Sequence, residues 1–173
     1  MSGKIILNLA VSLDGYIASE DGSYEWIVGH GDSSLDTEKQ LVFEQFVDSV
    51  DVVVMGKRCY EQGMHKEYAH KKVYVATSEA LESKGNLTFI QGDIVRLIQE
   101  EKQQGRTIYL FGGGVVIDAF VKANAIDEYI IGFIPIVLGQ GRPLFLGGNP
   151  TIPLRTEEVF VQDGIVIMRY TKR

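Results

Sequence analysis

Short apolar runs alternate with amphipathic stretches along most of the chain. Runs rich in β-branched residues predict strands, and apolar residues spaced three or four apart predict helices. The predicted strands cover residues 4–11, 51–55, 72–76, 86–91 and 107–111. The predicted helices cover residues 37–50, 93–104 and 115–122, and another helix starts after Gly56. This alternation indicates an α/β domain with a largely parallel sheet and right-handed crossovers.

Two details of this pattern concern the ends of elements. The helix over 37–50 is predicted to begin at a capping box formed by Thr37 and Gln40. Near the end of the chain, residues 127–137 form a long apolar run, and two further runs flank Asp163-Gly164, a pair typical of a tight hairpin turn. We therefore expect antiparallel strands to complete the sheet.

Composition limits the class of protein. The 173 residues are 45% hydrophobic and 23% charged, which fits one globular domain with its own core. Because no linker or internal repeat occurs, residues 1–173 are predicted to form a single domain, with the Gly- and Pro-rich residues 139–150 as a functional or edge loop. The net charge of −6 argues against nucleic acid or an anionic membrane as a partner and leaves room for a local basic pocket that binds a small anion.

Several absences narrow the function further. The single Cys59 excludes an intramolecular disulfide, and the first residues lack the features of a secretory signal, so a cytoplasmic protein is expected. No apolar run approaches the roughly 20 residues of a membrane span. No P-loop, G-x-G-x-x-G or G-x-S-x-G pattern occurs. His30, His65 and His70 lack metal-ligand spacing, so no metal site is predicted, and packing is the expected role of Cys59.

Three predicted strands end in residues that suit an anionic ligand. In open α/β sheets, ligands bind at the carboxyl ends of parallel strands, where helix N-termini offer unpaired N–H groups. Three glycines at 112–114 let backbone approach a pyrophosphate, a glycine and two cations occupy 56–58, and hydroxyl residues occupy 77–78. The plainer alternatives are a tight turn, a solvated basic pair and a turn cap. Together the three ends favour a phosphorylated ligand.

Four segments carry a resemblance to a known family. They read SLDGYIA from Ser12, VVVMGKRCYE from Val52, YLFGGGVVIDAF from Tyr109 and PIVLGQGRPLF from Pro135. They resemble the dihydrofolate reductase-like superfamily, and more closely the reductase domain of riboflavin biosynthesis, over nearly the whole chain. The resemblance implies a three-layer α/β/α domain, with a mostly parallel central sheet and antiparallel C-terminal strands. It also implies hydride transfer from NADPH.

The resemblance further implies a set of cofactor-binding residues. The loop after the first strand would lie over the nicotinamide, and the three strand ends would hold the phosphates, with Cys59 where a threonine is usual. The implied residues are Ala10, Gly15, Ile17, Gly56, Lys57, Arg58, Thr77, Ser78, Gly112, Gly113, Gly114, Val115, Val116 and Ile117. Cations and hydroxyls there fit the 2′-phosphate of NADPH, whereas a carboxylate, such as nearby Glu79, would suit a bare ribose.

The proton donor and the substrate are less defined by the sequence. The catalytic candidates are Asp14, beside the implied nicotinamide, and Asp36 and Glu38, with Asp32 nearby. The last three could donate a proton if burial raised their pKa values. The alternatives are that they are capping or solvated acids, and that the proton comes from water.

A gapless count from Gly56 places Gln40 where dihydrofolate reductase has its acidic substrate-binding residue, and Ile131 replaces the partner threonine. Folate is therefore not the expected substrate. We predict a stand-alone reductase for a pterin-like or riboflavin-precursor-like heterocycle or an imine or carbonyl bond. The alternative is a non-catalytic NADP(H)-binding module. Riboflavin-type relatives imply a homodimer formed through residues 127–145.

Overall fold

The computed structural model describes residues 3–173, and its centre is an eight-stranded sheet. The strands of the chain are β1 (Ile5–Ser12), β2 (Tyr16–Ala18), β3 (Val52–Gly56), β4 (Lys72–Ala76), β5 (Leu87–Ile90), β6 (Ile108–Gly112), β7 (Glu128–Ile134), β8 (Arg142–Pro143), β9 (Leu154–Gln162) and β10 (Ile165–Lys172). The helices are α1 (Phe43–Ser49), α2 (Lys57–Glu61), α3 (Ile94–Gln103) and α4 (Gly114–Lys122), with a 3-10 segment at Met64–Tyr68.

The order of strands in the central sheet is β5-β4-β3-β6-β1-β7-β10-β9. The strands from β5 to β7 pair in parallel, whereas β10 pairs antiparallel with both β7 and β9. The β9–β10 hairpin turns at Asp163 and Gly164, whose φ angles are +51° and +79°. The predicted mostly parallel sheet with antiparallel C-terminal strands is confirmed.

Helices cover both faces of this sheet and make the three layers. On one face, α3 and α4 bury Ile98, Ile117 and Phe120, which are fully inaccessible to solvent. On the other face, α1 and α2 bury Phe46 and Cys59. The strands between them are apolar on both sides, as parallel strands covered on both faces must be. Within residues 3–173, no helix is long and apolar enough to cross a membrane.

The prediction for the first helix was wrong at its start. α1 begins at Phe43, and its N-cap, Val42, makes no side-chain capping bond. The hydroxyl of Thr37 donates instead to the carbonyl of Lys39 (2.7 Å) and accepts from the N–H of Val161 (3.0 Å). Residues 28–42 therefore form an irregular segment, here called the strap, that is hydrogen-bonded to the β9–β10 hairpin.

The strand predicted over 127–137 also ends early, at Ile134. Beyond it the chain bonds to the loop after β1: the N–H of Leu13 donates to the carbonyl of Ile136 (2.9 Å). Farther on, Arg142 and Pro143 pair with β2 in a small second sheet. Part of the predicted loop at 139–150 is thus paired with the segment that follows the first strand.

Candidate functional site

A cleft of about 1310 Å³ opens where the parallel strands end at their carboxyl termini. This volume exceeds the usual range of small-ligand pockets, about 300–1,000 Å³, and gives room for a dinucleotide and a second ligand. We divide its wall by position in the sheet. The glycine half, from the ends of β3, β4 and β6 and the starts of α2 and α4, comprises Gly56, Lys57, Arg58, Thr77, Ser78, Gly112, Gly113, Gly114, Val115 and Val116. The amide half, from β1, β7, β9, β10 and the strap region, comprises Asn8, Leu41, Phe43, Gly132, Gln162, Ile165 and Ile167.

The turn from β6 into α4 is shaped by its glycines. Gly112 has φ +136°, a conformation that side chains rarely adopt. A Cβ on Gly113 would meet no protein atom within 4 Å, so the backbone there faces open space in the cleft. Gly113 is also the N-cap of α4 and supplies no capping side chain. The first N–H groups of α4 therefore have no intrahelical partner and are available to an anion.

Two other glycines permit close packing beside this turn. A Cβ on Gly56 would lie 3.1 Å from the Cγ2 atom of Val116, and a Cβ on Gly114 would lie 3.1 Å from the carbonyl oxygen of Pro143. Both distances are tighter than ordinary van der Waals contact, so larger residues would push these elements apart. The glycines thus bring the end of β3, the start of α4 and β8 together.

Charge in the glycine half is partly neutralised. The ammonium of Lys57 pairs with Glu79 and, at 3.3 Å, with Glu61. The Glu79 carboxylate is the main cause of a raised pKa at Lys57. By contrast, Arg58 and Arg142 line the cleft and make no ion pair within the described residues. The two arginines are therefore the cations with charge to offer a ligand.

The hydroxyl residues at the end of β4 lie in a turn. The Thr77 hydroxyl accepts from the N–H of Glu79 (3.0 Å), and the Gln91 amide donates to the carbonyl of Ser78 (2.9 Å). The turn cap that the sequence offered as the alternative for residues 77–78 is thus present. Thr77 and Ser78 also line the cleft.

The loop after β1 is fixed by Asp14. Its carboxylate accepts from the Ser12 hydroxyl (2.7 Å) and from the N–H groups of Leu138 (3.1 Å) and Gly139 (2.8 Å). The Ser12 hydroxyl is the largest cause of a lowered pKa at Asp14. The carboxylate joins two loops, and Asp14 does not line the cleft.

The cofactor-binding residues predicted from the sequence are largely brought together. All those in the glycine half line the cleft, and so do Ala10 and Ile17. Gly15 lies outside the lining, in the turn that Ser12 begins. Ile117 is fully buried in the core on the α4 face, because the helix turns its side chain away from the cleft.

The predicted acids are not brought to the cleft. The Asp36 carboxylate accepts from the Gln40 amide (3.1 Å) and the N–H of Asp163 (2.7 Å), which ties the strap to the hairpin turn. Glu38 and Asp32 are exposed, and hydrogen bonding from Ser34 lowers the pKa of Asp32. The pKa of Asp32 is therefore lowered, not raised, and the condition on which its proposed acid role depended is not met.

The positions taken from the gapless count also lie outside the cleft. Gln40 is exposed on the strap and Ile131 is buried in β7. Among the described residues that line the cleft, one carries a carboxylate, the exposed Glu67. Burial raises the pKa of the Cys59 thiol, in keeping with a packing role. Within residues 3–173, no group of three or more potential ligands is placed to hold a metal ion.

The residues of the amide half were not predicted from the sequence. Asn8 is a polar residue inside the apolar run of β1, and this exception was the one signal available. Gln162 uses its carboxamide twice on the strap: it accepts from the N–H of Leu41 (2.7 Å) and donates to the carbonyl of the same residue (3.2 Å). These bonds hold Leu41, and with it Phe43, against the cleft.

Comparison with known proteins identifies the family. The RibD C-terminal domain family matches residues 3–68 and 65–166, and the chain belongs to this family. The chain is 37% identical over 154 residues to the uncharacterized protein YwjB of Bacillus subtilis (strain 168), and the alignment covers 84% of each chain.

Solved structures agree with this assignment. A protein of Shewanella sp. PV-4 that is assigned to riboflavin biosynthesis is 27% identical, with a TM-score of 0.81 over 98% of this chain and 99% of that one. Dihydrofolate reductase of Enterococcus faecalis, in complex with NADP(H), is 14% identical, with a TM-score of 0.70 over 100% of this chain and 98% of that one. The fold is dihydrofolate reductase-like, as the sequence predicted.

Proposed function

We propose that this protein is an NADPH-dependent reductase that transfers hydride to a small heterocycle or to an imine or carbonyl bond. The observation that carries the proposal is the turn at Gly113, where open space, a glycine backbone and the N-terminus of α4 coincide. This combination suits a pyrophosphate, because N–H groups and the helix dipole both favour an anion there.

The rest of the glycine half, together with Arg142 of β8, fits the same ligand. Arg58 and Arg142 offer charge without competing ion pairs in the described chain, and Thr77 and Ser78 place polar groups at the neighbouring strand end. Such groups suit the adenosine 2′-phosphate of NADPH. The dihydrofolate reductase neighbour binds NADP(H), but at 14% identity it is evidence for the fold alone.

The chain's own contribution to the chemistry is orientation and exclusion of water. Ala10 and Ile17 line the cleft between its two halves, where a nicotinamide held by the glycine half would meet a substrate held by the amide half. When bound, NADPH would supply a hydride to an electrophilic carbon, and the neighbouring heteroatom would take one proton from water, which gives NADP⁺, the reduced product and hydroxide. Water is the proposed source because Glu67, the one carboxylate that lines the cleft within residues 3–173, is exposed.

Titration with NADPH tests the cofactor. We expect energy transfer from Trp26 to the bound nicotinamide and a rise in melting temperature. If both responses are absent at millimolar NADPH, the proposal is refuted.

Oxidation of NADPH should then be screened with pterins, flavin-pathway pyrimidines and quinones. Asp36→Asn and Glu38→Gln should leave turnover unchanged within about twofold, whereas loss of an acid catalyst would lower it by about 100-fold or more.

A second candidate function is a non-catalytic NADP(H)-binding module. It is favoured by the scarcity of acids in the cleft, where Glu67 is the one carboxylate among the described lining residues. Binding of NADPH without turnover of any compound in the screen would support this candidate over the reductase.

We also propose a homodimer formed through residues 127–145. Its support is the exposure of apolar side chains in or beside this segment: Val137 is 66% exposed, Phe145 50% and Leu13 69%. Leu13 and Val137 line the same small pocket, and large exposed apolar groups that lie together favour association. Light scattering at micromolar concentration should give twice the chain mass, and Val137→Glu should shift it towards the monomer. A monomeric mass for the unaltered protein would reject the dimer.

A further inference from the structure

Asn8 is a buried amide that lines the cleft. It lies in the middle of β1, opposite Ile130 of β7, and it is 8% exposed. Its Nδ2 atom has no hydrogen-bond acceptor among the residues that the structure describes. Buried N–H groups in native proteins are nearly always paired, so an unpaired one beside a cleft indicates that a ligand supplies the missing acceptor.

The surroundings of Asn8 define what kind of ligand that is. The amide half carries no charged side chain, and its apolar residues include Phe43, Ile165 and Ile167. Gln162, the other carboxamide there, already satisfies both of its groups on Leu41. Asn8 is thus the amide that is left to bind a ligand, in a setting that disfavours ions and accommodates an uncharged ring.

A carboxamide has one donor and one acceptor side by side. Rotation of the Asn8 amide by half a turn exchanges Nδ2 and Oδ1, so that the side chain can present either group. The complementary partner is an edge on which a ring carbonyl lies next to a ring N–H. Such an edge satisfies both groups without any charge.

We propose that Asn8 selects and orients the substrate by pairing with a carbonyl and N–H edge of an uncharged ring. This inference rests on the proposed reductase function, which supplies the nicotinamide beside the amide half. Asn8 is therefore a specificity-determining residue in the cleft, and phosphate or carboxylate groups on the substrate are not what this part of the site recognises.

A matched pair of ligands tests the proposal. Lumazine has the carbonyl and N–H edge, whereas 1,3-dimethyllumazine keeps the ring and the carbonyls but has methyl groups on those nitrogens. Binding of each is measured by calorimetry to the full chain saturated with NADP⁺. The unaltered protein should prefer lumazine by about tenfold, which is the scale of one or two neutral hydrogen bonds.

Three variants complete the experiment. Asn8→Leu should reduce the preference for lumazine to about onefold to twofold, because both polar groups are gone. Asn8→Ala also removes both polar groups, with a smaller side chain, so it should lose the preference as well and serves if Asn8→Leu does not fold. Asn149→Leu, which alters an exposed amide outside the cleft, should keep the preference of the unaltered protein.

The outcomes separate this inference from the proposed function. Equal preference in the unaltered protein and the Asn8 variants would overturn the role of Asn8, and so would the absence of lumazine binding at millimolar concentration to NADP⁺-loaded protein. Failure to bind NADP⁺, measured first, would instead overturn the proposed function. If the Asn8 variants keep their NADP⁺ affinity and lose the preference for lumazine, both the role of Asn8 and the proposed function are supported.

Discussion

The two halves of the cleft are built in different ways. In the glycine half, each group of binding residues is contiguous in sequence: a strand ends, a turn follows and a helix or loop begins. In the amide half, the wall depends on pairs of residues far apart in the chain, such as Leu41 and Gln162, which are 121 positions apart. A local arrangement can be inferred from local chemistry, whereas a wall made of distant segments requires the sheet register to be known.

The difference also concerns how each half binds. The glycine half relies on backbone N–H groups and on the absence of side chains, so its sensitive positions are those where any added atom obstructs the ligand. The amide half relies on two side-chain amides: Gln162 bonds to the distant Leu41, and Asn8 has no partner within the described residues. Its sensitive positions therefore include residues that fix geometry at a distance. Substitutions in the two halves should therefore have separable effects on cofactor and substrate.

The largest effect is expected at Gly113. Gly113→Val places a branched side chain in the space that faces the cleft and should weaken NADPH binding at least about 100-fold, the loss that a displacement of about 1 Å can cause. The backbone of Gly113 is extended, with φ −84°, so valine fits it. Fluorescence titration measures the affinity.

The control for this prediction is stability. Because a Cβ on Gly113 meets no protein atom within 4 Å, the melting temperature of Gly113→Val without ligand should stay near that of the unaltered protein. Gly113→Ala should give an intermediate loss of affinity. Unchanged NADPH affinity in a folded Gly113→Val protein would contradict the assignment of this turn to the pyrophosphate.

The sequence was sufficient for the parallel strands, the antiparallel C-terminal strands and most of the glycine half. Apolar runs gave β3, β4 and β6 nearly to the residue, because strands covered on both faces are apolar throughout. Glycines at strand ends then indicated where a ligand could approach. These inferences needed only neighbours in sequence.

The strap and the acids could not be derived in that way. Thr37 has the chemistry of a helix cap, but its hydroxyl bonds to Lys39 and Val161, and the second contact depends on where β9 lies. Asp36 likewise bonds to the hairpin turn at Asp163. Local propensity and tertiary contact compete for the same side chains, and here the tertiary contact prevails.

The second-largest effect is expected at Gln162, in the amide half. Gln162→Leu removes both bonds to Leu41 and should lower the free energy of unfolding by about 1–3 kcal/mol, because two backbone groups lose their partners. Substrate binding should weaken about tenfold as the strap loosens, with little change in NADPH affinity. Gln103→Leu, at an exposed position on α3, is the matched control and should change neither the free energy of unfolding nor substrate binding.

Gln162→Glu adds a dependence on pH. An ionised glutamate still accepts from the N–H of Leu41 but cannot donate to its carbonyl, whereas the protonated acid can do both. Stability relative to the unaltered protein should therefore recover as the pH falls through the pKa of the new carboxyl group. A deficit that is the same at acid and neutral pH would show that these two bonds do not hold the strap.

A smaller effect is expected at Glu79, in the glycine half. Glu79→Gln removes the main partner of Lys57, lowers the raised pKa of that lysine and frees its charge for a phosphate. NADPH binding should become about threefold tighter, the scale of one exposed ion pair, and NADH binding should change less. Glu82→Gln, an exposed acid outside the cleft, should leave the ratio of the two affinities unchanged. An equal gain for NADH would mean that Lys57 does not face the 2′-phosphate.

The smallest effect is expected at Asp14, which joins the loop after β1 to residues 138 and 139. Hydrogen bonds from Ser12, Gly139 and Leu138 lower the pKa of Asp14 in the folded protein, so its contribution to stability is present above the ordinary carboxyl pKa and is lost as the pH falls through the lowered value. In Asp14→Asn, the amide nitrogen would face one of the donors that now bond to the carboxylate, and that hydrogen bond would be lost. The variant should therefore melt slightly below the unaltered protein at neutral pH. The difference in melting temperature should close as the pH falls through that lowered pKa, where the native carboxyl group also becomes protonated. A difference that persists there would mean that the charge of Asp14 does not hold the loop after β1 against residues 138 and 139.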